Sequence, residues 1–412
     1  MKCVLIGAGS RGMLYAQWAY EHGVEIVAVA EPRPERLQWA GEVLQIPSER
    51  LFSTAEELFA GEALGDTAII ASLDRAHFGH AMQAMDRGYD ILLEKPISPS
   101  AWECVEVERR ALELGRKVTV CHVLRYHALI AAIRAILDSG ELGRVVNIKH
   151  TENVGNWHMA HSFVRGNWHS SAETAPIILA KACHDMDLLL WFTQAHCKRI
   201  VAFGSLEYFR AENAPEGSAE RCCDCPIAEK CRFEAKKVYL PTLGTWPSDM
   251  VCLEQTEEAL VEALRTSPYG RCVFRCDNDV CDHMSVAMEF DTGATATFTL
   301  NGHSDRMYRQ FHIMCTEGEI EADDRTNTLT VRRFPVNGAA PEQVEVRHIE
   351  TSNIGHGGSD LVMMEDFFLR GGAERSSVTR SVESHLMALA AEESRVTGRV
   401  VSLEEFRQSI QR

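Results

Sequence analysis

The chain has 412 residues, 45% of them hydrophobic and 25% charged, and a formal net charge of −17. That length holds two domains of ordinary size with separate cores, and the acidic balance speaks against nucleic acid or an anionic membrane as partner. No stretch has the apolar length of a membrane span.

The start "MKCVLIGAGS" has the outline of a short signal peptide. Its apolar run covers only Cys3 to Ile6 and stops at Gly7, so it reads as a first strand entering a glycine turn. A cytoplasmic protein is expected, and its fourteen cysteines are then thiols or metal ligands rather than disulfides.

In chain order, the strand at residues 2–6 leads into "GAGSRG", where Gly7, Gly9 and Gly12 have the G-x-G-x-x-G spacing, with Ser10 and Arg11 in the same turn. The helix "MLYAQWAYEHG" and the strand "VEIVAVAEP" follow, the latter reaching Glu31. Glycines in that pattern permit a tight turn, close approach of the backbone to a pyrophosphate, and close helix–strand packing. The helix N-terminus favours the phosphates, and a carboxylate about twenty residues on accepts the ribose hydroxyls. Glu31 repels a 2′-phosphate, so NAD is expected over NADP; Arg33 and Arg36 just behind it keep NADP open. Strands "DTAIIAS", "YDILLEKPIS" and "KVTVCHVL" then alternate with helices "HFGHAMQAMDRG" and "AWECVEVERRALELG". That alternation predicts a doubly wound parallel sheet, a Rossmann domain over residues 1–123.

The run "LLEKPIS" resembles the Glu-Lys-Pro signature of the Gfo/Idh/MocA oxidoreductases, the glucose–fructose oxidoreductase and inositol dehydrogenase family. "SLDRAH", with Ser72 and His77, is similar to the family's Thr-Pro-Asn-x-x-His segment. "LRYHALIAAIRAILDSGELGRVVNI" resembles its linker, first helix and opening strand of a second domain. "CTEGEIEAD" resembles a late strand turn, and "SVESHLMALAAEESRVTGRVVSL" the C-terminal helix. The resemblance implies an α+β domain over residues 124–412, built on an open, mostly antiparallel sheet that shapes the substrate site and carries a dimer or tetramer interface. It also implies that the helix near 380–397 packs back on the first domain, and that Glu94 and Lys95 join Ser72 and His77 in the cofactor-binding set.

"KACHDMD" (181–187) resembles the family's helix with the catalytic histidine, usually met as Asp-x-x-x-His-x-x-Asp. His184 and Asp187 match; Ala180 stands where the first acid belongs. At helical spacing Lys181, His184 and Asp185 share a face. Oxidising a hydroxyl requires a group that takes the proton and a positive charge that steadies the oxygen. The resemblance assigns the second task to Lys95 and the first to His184; Lys181, part of this sequence's departure from the family pattern, is a catalytic candidate to assist either task should burial or a nearby cation lower its pKa. "NWHMAHSFVRGNWH" has the makings of a sugar site: His158, His161, Arg165 and Trp168 supply donors and a ring face. Its positive charge suits an anionic sugar. A catalytic metal on His158 and His161 with Cys183 or His184 is the other functional reading. Arg125, Tyr126 and Asp187 complete the expected substrate contacts.

Eight of the fourteen cysteines fall between 222 and 281, in an apparent insertion at about 205–281. "RCCDCPIAEKC" has Cys222, Cys225 and Cys231 at C-x2-C-x5-C spacing. With Cys276, or with Cys272, which is just as close in sequence, they are expected to close a structural zinc site; an iron–sulfur cluster and plain thiols are the alternatives. Asp282 and His283 are candidates for the substrate border. The expected function is an NAD-dependent oxidoreductase acting on a sugar, polyol or sugar acid. The alternative is an NAD-dependent glycoside hydrolase that oxidises C3 transiently, eliminates, adds water and re-reduces. A scaffold protein on this fold would be expected to lose Lys95 or His184, and both are present.

Overall fold

A computed structural model describes residues 1–335, 343–352, 355–371 and 375–410. The first domain alternates strands and helices as the sequence predicts: β1 Lys2–Ile6, α1 Ser10–Glu21, β2 Glu25–Ala30, α2 Pro34–Val43, β3 Leu51–Phe52 and α3 Ala55–Ala60. There follow β4 Thr67–Ile70, α4 His77–Asp86, β5 Asp90–Leu93, α5 Ala101–Leu114 and β6 Val118–Val120. All six strands are parallel, in the order β3-β2-β1-β4-β5-β6. β4 is "TAII", with every residue buried. Helices cover both faces of such a sheet, so its inner strands are apolar throughout. The order reverses between β1 and β4, and the crevice beyond the strand ends at that point is where a doubly wound fold takes its ligand.

The second domain begins with α6 Ala128–Ser139 and β7 Val145–Asn153, and continues through α7 Cys183–Thr193 and β8 Cys197–Ser205. After a long excursion containing α8 Glu257–Thr266 it resumes with β9 His283–Phe290, β10 Thr295–Asn301, β11 Tyr308–Cys315 and β12 Gly318–Asp323. β13 Thr328–Arg333, β14 Gln343–His348, α9 Ser359–Leu369, α10 Val378–Thr397 and β15 Val401–Ser402 complete it. The nine strands form one sheet, β14-β13-β12-β11-β7-β10-β9-β8-β15, antiparallel except between β7 and β10. "CTEGEIEAD" is the hairpin from β11 to β12. Most of "FPVNGAAPEQ", expected as a turn, lies outside the described residues.

Two elements tie the domains together. α10 packs on β8 and α7 of the second domain and on α5 of the first. Its His385 takes the Ile97 amide proton on Nε2 (2.9 Å) while Nδ1 faces Ser381 O (2.8 Å), bracing the segment just after Lys95. α9 buries Met363, Met364, Phe367 and Phe368 against the core beneath α1.

Candidate active site

The ends of β1, β4, β5 and β6 converge on the crevice. Gly7, at φ +92°, could not carry a side chain, since a Cβ would stand 2.6 Å from Ala71 O; one on Gly12 would stand 2.0 Å from Gly7 O. Gly9 has open space instead, the side from which a phosphate can approach the turn. Glu31 is buried at the end of β2. It accepts from the Ala8 amide (2.8 Å) and from Arg33 Nε (2.6 Å), and the Arg33 contacts hold it below the usual carboxylate range despite burial. These features fit a dinucleotide.

Other expected cofactor residues are engaged with one another. Glu94 accepts from Arg11 Nε (2.9 Å), from the Tyr15 hydroxyl (2.6 Å) and from the Lys95 amide (2.9 Å). Arg11 also pairs with Asp360. His77 spans Pro96 O (2.7 Å) and Ser72 O (3.0 Å), so it braces the loops after β4 and β5, and Ser72 Oγ meets His80 Nδ1 (3.0 Å).

"KACHDMD" is no solvated face. Cys183 opens α7, while Lys181 sits in the break after a single helical turn at Ile177–Ala180. Lys95 Nζ donates to Ala180 O at 2.8 Å, which places its ammonium at the same break. Burial above all, and then the charge of Lys95, push His184 well below the ordinary histidine value. Its Nδ1 is buried and has no partner among the described residues. The ring lies 5.5 Å from that of His122 and 6.3 Å from that of His356.

Lys181 pairs with Glu152 of β7 at 3.2 Å, and burial moves the lysine down and the glutamate up. Arg309 of β11 closes the group, with Nε 2.7 Å from Glu152 and 2.8 Å from Asp185. Asp185 also meets His150 Nε2 at 2.7 Å. His158 Nδ1 is buried and unpartnered among the described residues, and burial, followed by the Lys181 charge, keeps that ring neutral.

Several expected substrate contacts are turned to other work. Arg125 donates to both oxygens of Asp187 (2.7 and 2.6 Å) in the interior, and to the backbone Arg375 O. Tyr126 donates to Asp366 (2.9 Å). His161 and Arg165 lie in a wide π-helical turn, Met159–Arg165. His161 meets the Tyr239 hydroxyl (2.9 Å) and stacks on Tyr269, while Arg165 reaches Phe233 O (2.8 Å) and Cys222 Sγ (3.2 Å). Both face the insertion, which removes the local positive charge that suggested an anionic sugar. Trp168 donates to Asp74 (3.1 Å) beside the crevice. Asp282 accepts from the amides of Glu207 (3.0 Å) and Tyr208 (2.7 Å) and closes the base of the insertion.

The metal expectation is corrected. Among the described residues no three His, Cys, Asp or Glu side chains are placed to hold an ion. Cys222, Cys225, Cys231 and Cys272 line one small cavity with Arg165, but the expected fourth ligand, Cys276, donates instead to Cys272 O (3.3 Å). Burial raises Cys222 and Cys272, and Cys276 to about 11. The catalytic-metal candidates are likewise not brought together among the described residues, where His161 turns to the Tyr239 hydroxyl (2.9 Å).

The sequence reading missed Glu152, Arg309, His122, His356 and His385. His122 had a signal, since it directly follows a parallel strand's carboxyl end. His356 had one in the glycine-rich "GHGG". Glu152 and Arg309 had none, because only strand pairing, Arg309 opposite Glu152, brings them together.

Residues 1–122 match the family model described as "Oxidoreductase family, NAD-binding Rossmann fold", and residues 130–222 the "GFO/IDH/MocA C-terminal domain", together over half of the chain. A putative oxidoreductase, YteT, of Bacillus subtilis is 24% identical over 74% of this chain and 72% of its own length. An inositol 2-dehydrogenase of Rubrobacter xylanophilus is 25% identical over 48% of this chain and about half, 54%, of that enzyme. The solved levoglucosan dehydrogenase in complex with NADH superposes with a TM-score of 0.70 at 18% identity, covering 98% of this chain and 99% of that one.

Proposed function

The chain belongs to the GFO/IDH/MocA family of NAD-binding oxidoreductases, and on that premise we propose that it is an NAD-dependent dehydrogenase of a polyhydroxylated substrate, a cyclitol or sugar. The observation that carries this reading is the meeting, at the turn 180–184, of the Lys95 ammonium and a buried neutral His184 with an unpartnered ring nitrogen. The relatives named inositol 2-dehydrogenase and levoglucosan dehydrogenase support the substrate class.

NAD, when bound, supplies the hydride acceptor. The glycine turn with Ser10 and Arg11 would hold its pyrophosphate, and Glu31 its ribose. Lys95 positions the substrate hydroxyl and steadies the oxygen as negative charge develops, the condition in which a fixed cation contributes most. His184 takes the hydroxyl proton. An unprotonated imidazole is ready for that task at neutral pH, and a positioned base accelerates such a step by about 10²–10⁴. Glu152, itself held by Arg309, fixes Lys181 at the same break, within reach of a further hydroxyl. Arg125 and Asp187 hold α7 in place.

The Lys181–Glu152 pair keeps the redox-neutral glycosidase as the second reading, because it offers a second acid–base couple beside the first. Incubation with NAD and a panel of cyclitols, free sugars and chromogenic glycosides separates the two. Stoichiometric NADH without aglycone release supports the dehydrogenase. Aglycone release with catalytic NAD and no net NADH supports the hydrolase and overturns the first reading.

A further inference from the structure

The insertion between β8 and β9 has a small core of its own, formed by Ala235, Tyr239, Leu260, Leu264 and Tyr269. From it a segment, residues 243–250, leaves and returns. Ser248 Oγ meets Thr242 Oγ1 (2.7 Å), and Gln255 reaches back to the Gly244 amide (2.9 Å), so the segment is a fixed loop rather than a free tail.

Among its contacts outside the insertion, three border the cofactor crevice. At one end, Trp246 stands edge-on to the ring of His158 (5.0 Å), on the substrate side. In the middle, Asp249 Oδ2 accepts from Ser10 Oγ of the glycine turn (3.4 Å). At the far side, Asp249 O accepts from Arg36 Nη2 (3.1 Å), five residues beyond Glu31. One loop thus spans the groups that would hold the substrate end, the pyrophosphate and the adenosine ribose of a dinucleotide.

The same contacts bear on which dinucleotide enters. An arginine near the end of β2 is what accommodates a 2′-phosphate in this fold. Both candidates are committed here, Arg33 to Glu31 through Nε (2.6 Å) and Nη2 (3.1 Å), and Arg36 to the backbone of the loop. Asp249 Oδ1, by contrast, is buried and has no partner among the described residues. Closed in this way, it can accept a ribose hydroxyl only after the loop shifts to admit the nucleotide, and a carboxylate in that place repels a phosphate dianion.

We propose that residues 243–250 form a strap over the dinucleotide crevice, and that Asp249 is a cofactor-binding residue that selects NAD against NADP and slows the cofactor's release. The proposal rests on the NAD-dependent reading above. The test reads binding directly, in the full chain and without substrate: fluorescence titration with NADH and with NADPH, and stopped-flow release of NADH into excess NAD. Asp249→Asn removes the charge and keeps an acceptor oxygen; Asp249→Ala removes both; Trp246→Ala cuts the other anchor. Removing the charge is expected to raise relative NADPH affinity about tenfold, the order of one like-charge contact near a protein surface. Asp249→Ala should in addition weaken NADH about tenfold through the lost hydroxyl contact, and Trp246→Ala should speed NADH release at an unchanged NADH/NADPH ratio. Thermal melting confirms folding, and the asparagine variant carries the test should the alanine variant unfold. A wild-type NADH/NADPH ratio in Asp249→Asn, with an unchanged release rate in Trp246→Ala, overturns the proposal alone. A wild-type chain that binds neither nucleotide overturns the function reading as well.

Discussion

Asp187 and His184 stand one helical turn apart on α7 and do opposite work. Asp187 is sealed in a two-pronged pair with Arg125, with His122 Nε2 at 3.9 Å, so each charge is spent on another charge of the protein. His184 keeps a ring nitrogen without a partner, beside an ammonium that points at the same turn. What separates a framework residue from a reactive one here is whether its hydrogen-bonding capacity is used up. Four residues of "KACHDMD" are ionisable in the ordinary sense, and that test sorts them: Asp185 and Asp187 are closed, Lys181 is half-closed by Glu152, and His184 is open.

Substitutions on the two sides should therefore fail in different ways. Lys95→Met is expected to lower kcat about 10³-fold or more, since the cation acts on the developing oxyanion, while denaturant unfolding stays within about 1 kcal/mol of wild type, as for a change outside the core. Asp187→Ala reverses the pattern: it leaves Arg125 buried and unpaired, which costs about 3–5 kcal/mol of stability. Measuring both quantities for both variants breaks the comparison if they move together.

Within the glycine turn a smaller contrast holds. Gly12→Ala drives a methyl group against Gly7 O and is expected to cost about 1–3 kcal/mol, whereas Gly9→Ala meets open space and should spare stability while weakening NADH, as titration will show.

The buried histidines set the pH response of the whole fold. Burial holds His122 and His127 at about 4 and His161 and His385 at about 3, with His158 and His184 also lowered. The unfolded chain protonates these rings near pH 6.5 while the folded one does not, so their contribution to stability is complete above that value and falls as pH drops through 6.5 toward 4, opposed in part by the burial-raised carboxyls of Asp324, Glu152 and Asp74. Each ring contributes a slope of at most about 1.4 kcal/mol per pH unit. Urea midpoints between pH 8 and 4.5 check this: a midpoint flat down to pH 5 contradicts it.

The first domain was legible because its signals are local. A strand of apolar residues, a glycine spacing and an acid twenty residues on lie in one stretch of chain, and the structure places them within a residue or two of where pattern puts them. The substrate half was less so, for two physical reasons. Glu152 and Arg309 meet only through β7–β11 pairing across more than 150 residues, which no periodicity reports. In "NWHMAHSFVRGNWH" the π-helical winding and the insertion decide which way each ring faces, and they turn His161 and Arg165 from the crevice while leaving His158 beside it. The cysteine spacing misled in a related way. It identified three thiols that share a cavity, but Cys276 donates to the Cys272 carbonyl, and Cys272 is the further thiol that lines that cavity.

The most direct test of His184 as the base is the pH profile of NADH formation, wild type against His184→Ala, on whichever polyol the panel identifies. The wild-type kcat/KM should stay level from pH 9 down through 6.5, because the ring titrates well below its ordinary value. The alanine variant should lose about 10²–10⁴-fold at pH 7 and recover as hydroxide replaces the missing base. A variant that keeps its rate at pH 7, or one depressed by the same factor at every pH, would contradict a proton-accepting role for His184.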